Sequence, residues 1–488
     1  MLDLTAEDLR RLDARGIAAS RARKQLRILR DPPSPPRIVR ACTPGDGIRR
    51  VEPEEHQSLQ ELWLEAANDG RVSKFVPASG AATRMFAPLA SGADAQPSEG
   101  ARKFWERRSD FAFSPALADL VTGKRFEDPV AVAEGVVEGL EYGRMPKALI
   151  PFHRSHEGTR TAFVEQLVEA AGYTTNAAGT PVRVHFTVGS EHLELFEQAR
   201  EALQGLERSQ GLAFEVGFSI QDPATDTLSI DADRMPVRKE DEKLLLRPSG
   251  HGALLINLER VGGDIVVVKN IDNVLPQERQ PEVVYWKRLL IGMVVHLEQQ
   301  LASVATSLFS GETSATEGAE AVGRILGVEP PEQERAVWLA ERLESPLRVC
   351  GMVRNDGEPG GGPFWVGGRD DSVTPQIVEA SQVDHRDPVQ ESALRDATHF
   401  NPVDLVCSMR NRRGEAYELA GYVDPTTFFV SRKEHDGRAL RALERPGLWN
   451  GAMAGWNTVF VEVPATTFAP VKTVLDLLRP EHLPLDNG

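Results

Sequence analysis

Residues 72–85 read VSKFVPASGAATRM. The run Val72–Pro77 is apolar enough to read as a buried strand, the first of a sheet. It empties into small residues, Ala78, Ser79, Gly80 and Ala81, and then into Thr83 and Arg84, where a helix is expected to begin. Small side chains let backbone N–H groups come close to a phosphate, and an arginine just past the turn can bridge phosphate oxygens. Taken alone, the pattern equally describes an ordinary strand-to-helix turn, because Gly-rich motifs often match by chance.

Working outward, a helical pattern, HQSLQELWLEAAND (56–69), precedes this strand. Downstream, helices are expected around 131–140, 161–171, 191–206 and 283–307, and strands at 183–188, 213–221 and 264–270. This alternation argues for a mixed, mostly parallel sheet flanked by helices, an α/β fold whose ligand crevice lies at the carboxyl ends of the strands. The first residues, Thr5 to Leu29, form a helical lead-in that ends at DPPSPP (31–36), since proline cannot continue a helix. The stretch SGADAQPSEG (91–100) reads as a mobile insertion. GEPGGGPFW (357–365) reads as a loop opening a C-terminal α+β region with strands at 426–431 and 458–463. The division expected is a helical segment over 1–65, a nucleotide-binding core over 66–310 with an insertion at about 87–140, and the C-terminal region over 311–488.

With 488 residues, 41% of them apolar, the chain can bury a substantial core. Its formal charge of -16 argues against a nucleic-acid or anionic-membrane surface as partner, so any anionic ligand needs a local basic pocket. Three scattered cysteines give neither a disulfide framework nor a zinc spacing. No uninterrupted apolar run approaches the about 18 residues of a membrane span, and the expected location is cytoplasmic.

Three further segments carry candidate chemistry. In MPKALIPF (145–152), prolines flank Lys147, a point cation suited to phosphate. The block 218–275 contains Gln221, an amide able to face a pyrimidine edge, and the turn Gly250-His251-Gly252, whose backbone could lie against a base. It ends on Asp272-Asn273 after an apolar strand, where a carboxylate would hold a metal. A turn histidine satisfied by backbone, and a plain strand-end turn, are the competing readings of these last two. Near the C-terminus, TFAPVKTVLDLL (467–478) presents Lys472. Gly361, Asn450 and Asn457, beside tryptophans, join flat apolar surface to amides and suit a sugar ring, as does Asn273, although core packing competes at each tryptophan.

The order and wording of these segments resemble the UDP-sugar pyrophosphorylases. The turn resembles that family's A-G-G-x-G-T-R-M signature, with Gly80, Thr83, Arg84 and Met85 in place and Ser79 and Ala82 where two glycines stand. Lys147 falls in a P-K-x-L-I-P element, displaced by an insertion over 86–144. Asp272-Asn273 follow a P-x-G-H-G turn, and Lys472 lies in an F-x-P-V-K-T-x-x-D-L-L element. The resemblance implies a Rossmann-like nucleotidyltransferase fold of the GT-A type that joins UTP and a sugar 1-phosphate with Mg²⁺. It implies catalytic Arg84, Lys147 and Lys472, a metal at Asp272, and nucleotide contacts from Ala78, Ser79, Gly80, Ala81, Thr83, Gln221, Gly250, His251 and Gly252. The phrases GEPGGGPFW and GLWNGAMAGWNTVFVEVP look particular to a bacterial branch of unknown function. A glycosyltransferase of similar fold and a non-catalytic nucleotide sensor are the alternatives.

Overall fold

In the computed structural model, residues 4–90, 96–156, 158–175, 180–357, 360–368 and 372–485 are described. Val72–Pro77 is a strand buried along all but its last residue, as a strand covered on both faces of a parallel sheet must be. The chain divides into two compact units. The first comprises Met1–Glu55, Gln221–Asp264 and Met293–Glu462; the second comprises His56–Ile220, Ile265–Gly292 and Val463–Gly488.

In the second unit four strands, Ile265–Lys269, Val72–Pro77, Val182–Val188 and Phe214–Ile220, lie in that order, every pair parallel. Two lysines interrupt the apolar runs. Lys74 and Lys269 each donate to the buried carboxylate of Glu169, at 3.0 and 2.5 Å. Burial pushes that carboxyl up, but Lys269 and Lys74 outweigh it and hold it near 2, so Glu169 stays ionised between them. Glu169 sits on helix Ala162–Ala171, which lies against the strand Val182–Val188.

Helix Gln280–Phe309 was expected as 283–307 and is long and apolar enough to cross a membrane by length and composition, with 56% of its apolar window buried in the protein. His296, Glu298 and a pair of glutamines interrupt its apolar residues. Gly292 on this helix packs so tightly that a Cβ there would lie 2.0 Å from the Leu59 carbonyl oxygen.

The insertion carries a core of its own. Phe104 lies 4.5 Å from Phe111, Phe111 lies 5.3 Å from Phe113, and Tyr142 meets Phe113 edge-on at 5.4 Å, all as ring centroids. Of the stretch expected to be mobile, residues 91–95 lie outside the described residues. Its end is packed: Ser98 caps helix Glu99–Glu106, and a Cβ on Gly100 would meet the Pro88 carbonyl oxygen at 2.3 Å.

The first unit orders Thr43–Pro44, Gly47–Arg49, Asn457–Glu462, Leu347–Arg354 and Asp404–Ser408 side by side, parallel except for the last pair. The lead-in is two helices, Ala6–Ala14 and Ala19–Arg30, whose Leu12, Leu26 and Leu29 pack on Leu228, Ile230 and Leu443. GEPGGGPFW is only partly a loop. Glu358 and Pro359 lie outside the described residues, and Gly361–Gly367 is a strand paired on both sides, with Arg37–Ala41 and Val373–Glu379.

Candidate functional site: a lysine-carboxylate cradle at the sheet edge

Leaving the strand, Ala78 donates its N–H to the Thr187 carbonyl at 2.9 Å, which keeps the chain at the sheet's carboxyl edge for one more residue. No helix follows. The chain makes two short 3-10 turns, Ala82–Arg84 and Ala87–Leu89, because the turn pairs with a distant segment instead. The Lys147 N–H donates to the Gly80 carbonyl at 3.2 Å, the Ala82 N–H to the Met145 carbonyl at 2.9 Å, and the Thr83 hydroxyl to the Gly143 carbonyl at 3.0 Å. These bonds close the neck of the insertion, so Lys147 stands beside the small-residue turn although residues 86–144 separate them in sequence.

The N–H of Ala82 is thereby used. Those of Ser79, Gly80 and Ala81, all exposed, have no acceptor among the described residues, and a Cβ on Gly80 would meet nothing within 4 Å. Three adjacent N–H groups are thus open to a hydrogen-bond acceptor. Arg84 is exposed and makes no hydrogen bond or ion pair among the described residues.

On the neighbouring strand, Ile265–Lys269 runs into Asp272 at the same edge. Lys147 Nζ and Lys472 Nζ both donate to Asp272 Oδ2, at 3.0 and 3.2 Å. Burial would raise this carboxyl, but the two lysines outweigh it and hold it below its usual range. Burial likewise lowers the Lys147 ammonium against the attraction of Asp272. Lys472 is more than half exposed, whereas Asp272 Oδ1 is buried and has no hydrogen-bond partner among the described residues.

Backbone pairing fixes this meeting. The Val471 N–H donates to the Asp272 carbonyl at 3.0 Å, the Ala469 N–H to Asn273 Oδ1 at 3.0 Å, and the Val474 N–H to the Met85 carbonyl at 2.9 Å. Four segments far apart in sequence, 78–85, 145–150, 270–273 and 469–474, thus form one cradle within the second unit. Asn273, expected to face a sugar, is buried and tied to the Ala469 backbone.

Two supports were not singled out from sequence. Gln166 donates to the carbonyls of Asn270 and Ile271, at 2.8 and 3.3 Å, and steadies the loop leading to Asp272. Asp476 accepts the N–H groups of Lys472 and Thr473, at 2.9 and 2.6 Å. The Thr473-x-x-Asp476 spacing is a capping-box signature and could have revealed the second. No local pattern marks the first.

The remaining expected residues lie in the first unit. Gln221 is half-buried, and its side chain makes no hydrogen bond among the described residues. His251 stacks on Trp449 with ring centroids 3.9 Å apart, and its Nδ1 accepts the Leu448 N–H at 2.9 Å. Burial pushes it down to about 4, so it is a neutral imidazole satisfied by backbone. Gly250 has a left-handed φ of 76°, and a Cβ on Gly252 would meet the Pro446 carbonyl oxygen at 2.0 Å, so both glycines answer to the chain's own packing. Backbone also engages the expected sugar-facing groups. The Gly361 carbonyl accepts the Asn401 N–H at 2.7 Å, Asn450 Nδ2 donates to the Ile377 carbonyl at 3.0 Å, and Asn457 Nδ2 to the Arg342 carbonyl at 2.7 Å. Asn450 also borders a cavity of about 900 Å³ with Gln376, Tyr422 and Thr426.

Fold and site together define an α/β protein with a cationic, carboxylate-centred cradle at the carboxyl edge of a parallel sheet. The chain belongs to the family described as a domain of unknown function, DUF4301, which matches residues 5–483. Solved structures similar to it are UDP-sugar pyrophosphorylases. UDP-N-acetylglucosamine pyrophosphorylase from Trypanosoma brucei, in complex with an inhibitor, is 14% identical over 94% of this chain and 74% of that one, with a TM-score of 0.49. A mutant UDP-glucose pyrophosphorylase from Leishmania major, in complex with UDP-glucose, is 14% identical over 97% of this chain and 78% of that one, with a TM-score of 0.47. Among curated proteins, a sequence comparison finds no match.

Proposed function

We propose that the chain is a sugar-1-phosphate nucleotidyltransferase, making a nucleoside diphosphate sugar and pyrophosphate from a nucleoside triphosphate, with UTP favoured, and a sugar 1-phosphate. The observation that carries this reading is the pair of lysines sharing Asp272 Oδ2 beside three open N–H groups. A phosphate oxygen of the sugar 1-phosphate attacks the α-phosphorus. One P–O bond forms, the bond to the leaving pyrophosphate breaks, and no proton transfer is needed because the nucleophile is already ionised. Catalysis then consists of positioning and of fixed positive charge.

The open N–H groups of Ser79, Gly80 and Ala81 receive phosphate oxygens. Lys147 and Lys472 move from the carboxylate to phosphate as the substrate arrives, and Arg84 steadies the triphosphate.

Charge argues for a metal. Two ammonium groups against one carboxylate leave a single net positive charge, which Arg84 raises by one, whereas the two substrates carry several negative charges. Asp272 offers a hard dication one oxygen, Oδ1, which is buried without a partner among the described residues; its other oxygen is taken by lysines, and no group of three His, Cys, Asp or Glu side chains able to hold a metal occurs among the described residues, so substrate phosphates would supply the other ligands. Mg²⁺ commonly binds one or two carboxylates together with substrate phosphates, and when bound it supplies charge neutralisation at the phosphates. The cytoplasm, where both substrates are found, is the proposed location.

The test is a matrix of nucleoside triphosphates against sugar 1-phosphates, with and without Mg²⁺, read as pyrophosphate release. Turnover confined to one row and one column supports the proposal. Tight triphosphate binding with no pyrophosphate from any pair would replace it with a binding protein, and release of free nucleoside diphosphate from a sugar nucleotide would replace it with a glycosyltransferase.

A further inference from the structure

The two lysines of the cradle repel each other, and each is presented by a separate segment. Lys147 opens the turn Lys147–Leu149, which continues directly into the strand Pro151–Ser155. Lys472 sits on a strap whose near end is tied to Asp272 and Asn273 by the Val471 and Ala469 N–H groups. The far end of that strap carries His482, which is 3% exposed. His482 Nδ1 lies 2.9 Å from Nε2 of His153, on the strand that follows Lys147, and the two rings meet edge to edge, nearly coplanar, with centroids 5.2 Å apart. His153 Nδ1 in turn lies 3.0 Å from Glu165 Oε1. Gln280 donates to Glu165 Oε2 at 3.0 Å and to the Leu275 carbonyl at 2.9 Å, in the loop just beyond Asp272. The chain Glu165, His153, His482 therefore joins the supports of both lysines and of the carboxylate between them.

We propose that His482 is a positioning residue which, through its hydrogen bond to His153, holds the strap bearing Lys472 at a fixed distance from the segment bearing Lys147. This rests on the cradle being the phosphate-binding site. A buried polar chain costs stability unless every member is satisfied, so two apolar rings would serve mere packing better.

One arrangement of protons satisfies both links. Glu165 carries a proton and donates to His153 Nδ1, His153 Nε2–H donates to His482 Nδ1, and His482 keeps a proton on its buried Nε2, which faces the Ala469 backbone but makes no hydrogen bond of ordinary geometry among the described residues. Burial acts in the required direction at each member. It raises Glu165 to about 8 and lowers His153 and His482 to about 3, leaving all three neutral near pH 7. The surrounding charges are Arg160, Glu278 and Glu169 around Glu165 and His153, and Arg479 and Asp476 around His482. Loss of the Glu165 proton reverses the chain and leaves His482 Nε2 without its hydrogen.

The test is lysine acylation by an amine-reactive reagent on the full chain, read by mass spectrometry as labelling of Lys147 relative to exposed Lys103 of the same unit. His482→Phe keeps a flat ring and loses the hydrogen bond; His482→Asn keeps a hydrogen-bonding group at the Nδ1 position and loses the ring. The phenylalanine variant should raise relative labelling of Lys147 by about fivefold or more and the asparagine variant by no more than about twofold. Glu165→Gln, which donates at every pH, should keep the ratio flat as pH passes 8, where that of the wild type rises. Wild-type labelling in the phenylalanine variant, or equal opening in both variants, overturns the proposal. If the phenylalanine variant does not fold, a parallel rise with pH in Glu165→Gln and wild type overturns it instead. The labelling needs no substrate, so a wild type without nucleotidyl transfer would refute the function and leave this readout to decide on His482.

Discussion

Replacing Asp272 by asparagine removes one charge and almost no volume, and it isolates what the carboxylate does between its two lysines. The ammonium groups lie 3.0 and 3.2 Å from the same oxygen, and so no more than the sum of those distances apart. With the carboxylate gone, two like charges about 6 Å apart repel by about 3 kcal/mol at an effective dielectric of about 20. Lys472 is 57% exposed, so solvent screens much of this. A net destabilisation of about 1 kcal/mol is the reasonable expectation.

The carboxyl titrates below its ordinary 3.8 in the folded chain, so its contribution is complete above that pH and disappears as pH falls through the lowered value. Urea unfolding of wild type and Asp272→Asn at pH 7 should therefore show the difference at low salt. It should shrink at about 1 M salt, where the Debye length is about 3 Å, and narrow as pH falls below the ordinary 3.8. Pyrophosphate release measured on the same preparations should fall by on the order of 10²-fold, since the variant loses the proposed metal ligand as well. Equal stability at all three conditions with full turnover would refute both the electrostatic reasoning and the site.

Arg84→Ala should lower turnover by on the order of 10²-fold with an unchanged melting temperature, because the Arg84 side chain makes no hydrogen bond or ion pair among the described residues; a lowered melting temperature would show an unrecognised structural role. Gly292→Ala should destabilise by about 1–3 kcal/mol in urea unfolding, since the added Cβ would lie 2.0 Å from the Leu59 carbonyl oxygen. The raised Glu165 pKa gives stability that is complete below its ordinary 4.5 and is lost as pH rises through about 8. Unfolding measured at pH 6 and 9 should thus show a smaller alkaline loss in Glu165→Gln than in wild type. His251→Phe should cost about 1–3 kcal/mol in unfolding, by stranding the Leu448 N–H while keeping the stack on Trp449.

The cradle is concentrated charge in a protein whose net charge of -16 would repel a polyanion at large. The structure handles this locally. It spends backbone hydrogen bonds, between residues 80–83 and 143–147 and between 272–273 and 469–471, to bring cations to one edge of one sheet. Two buried lysines, Lys74 and Lys269, are held by Glu169 on helix Ala162–Ala171. Each set puts two lysines on one carboxylate. One is closed inside, on both oxygens of Glu169; the other shares a single oxygen of Asp272 at the strand ends.

The alternating pattern of strands and helices and the parallel sheet were legible from residue types alone, because a strand buried on both faces must be apolar through its length and an amphipathic helix must repeat its apolar face. Gly80, Lys147, Asp272 and Lys472 were likewise visible as residues set at turns and strand ends, in the order in which they occur. Their meeting was not visible. It depends on pairing Ala81 with Pro146 and Asn273 with Pro470, contacts across long stretches of chain that local propensity does not encode. The sequence alone also left open whether His251 faces a ligand or its own backbone, and backbone pairing decided for the Leu448 N–H. His153, Glu165 and His482 gave no local signal, since a buried hydrogen-bond chain is defined by which side chains face one another in space, and only the tertiary structure sets that.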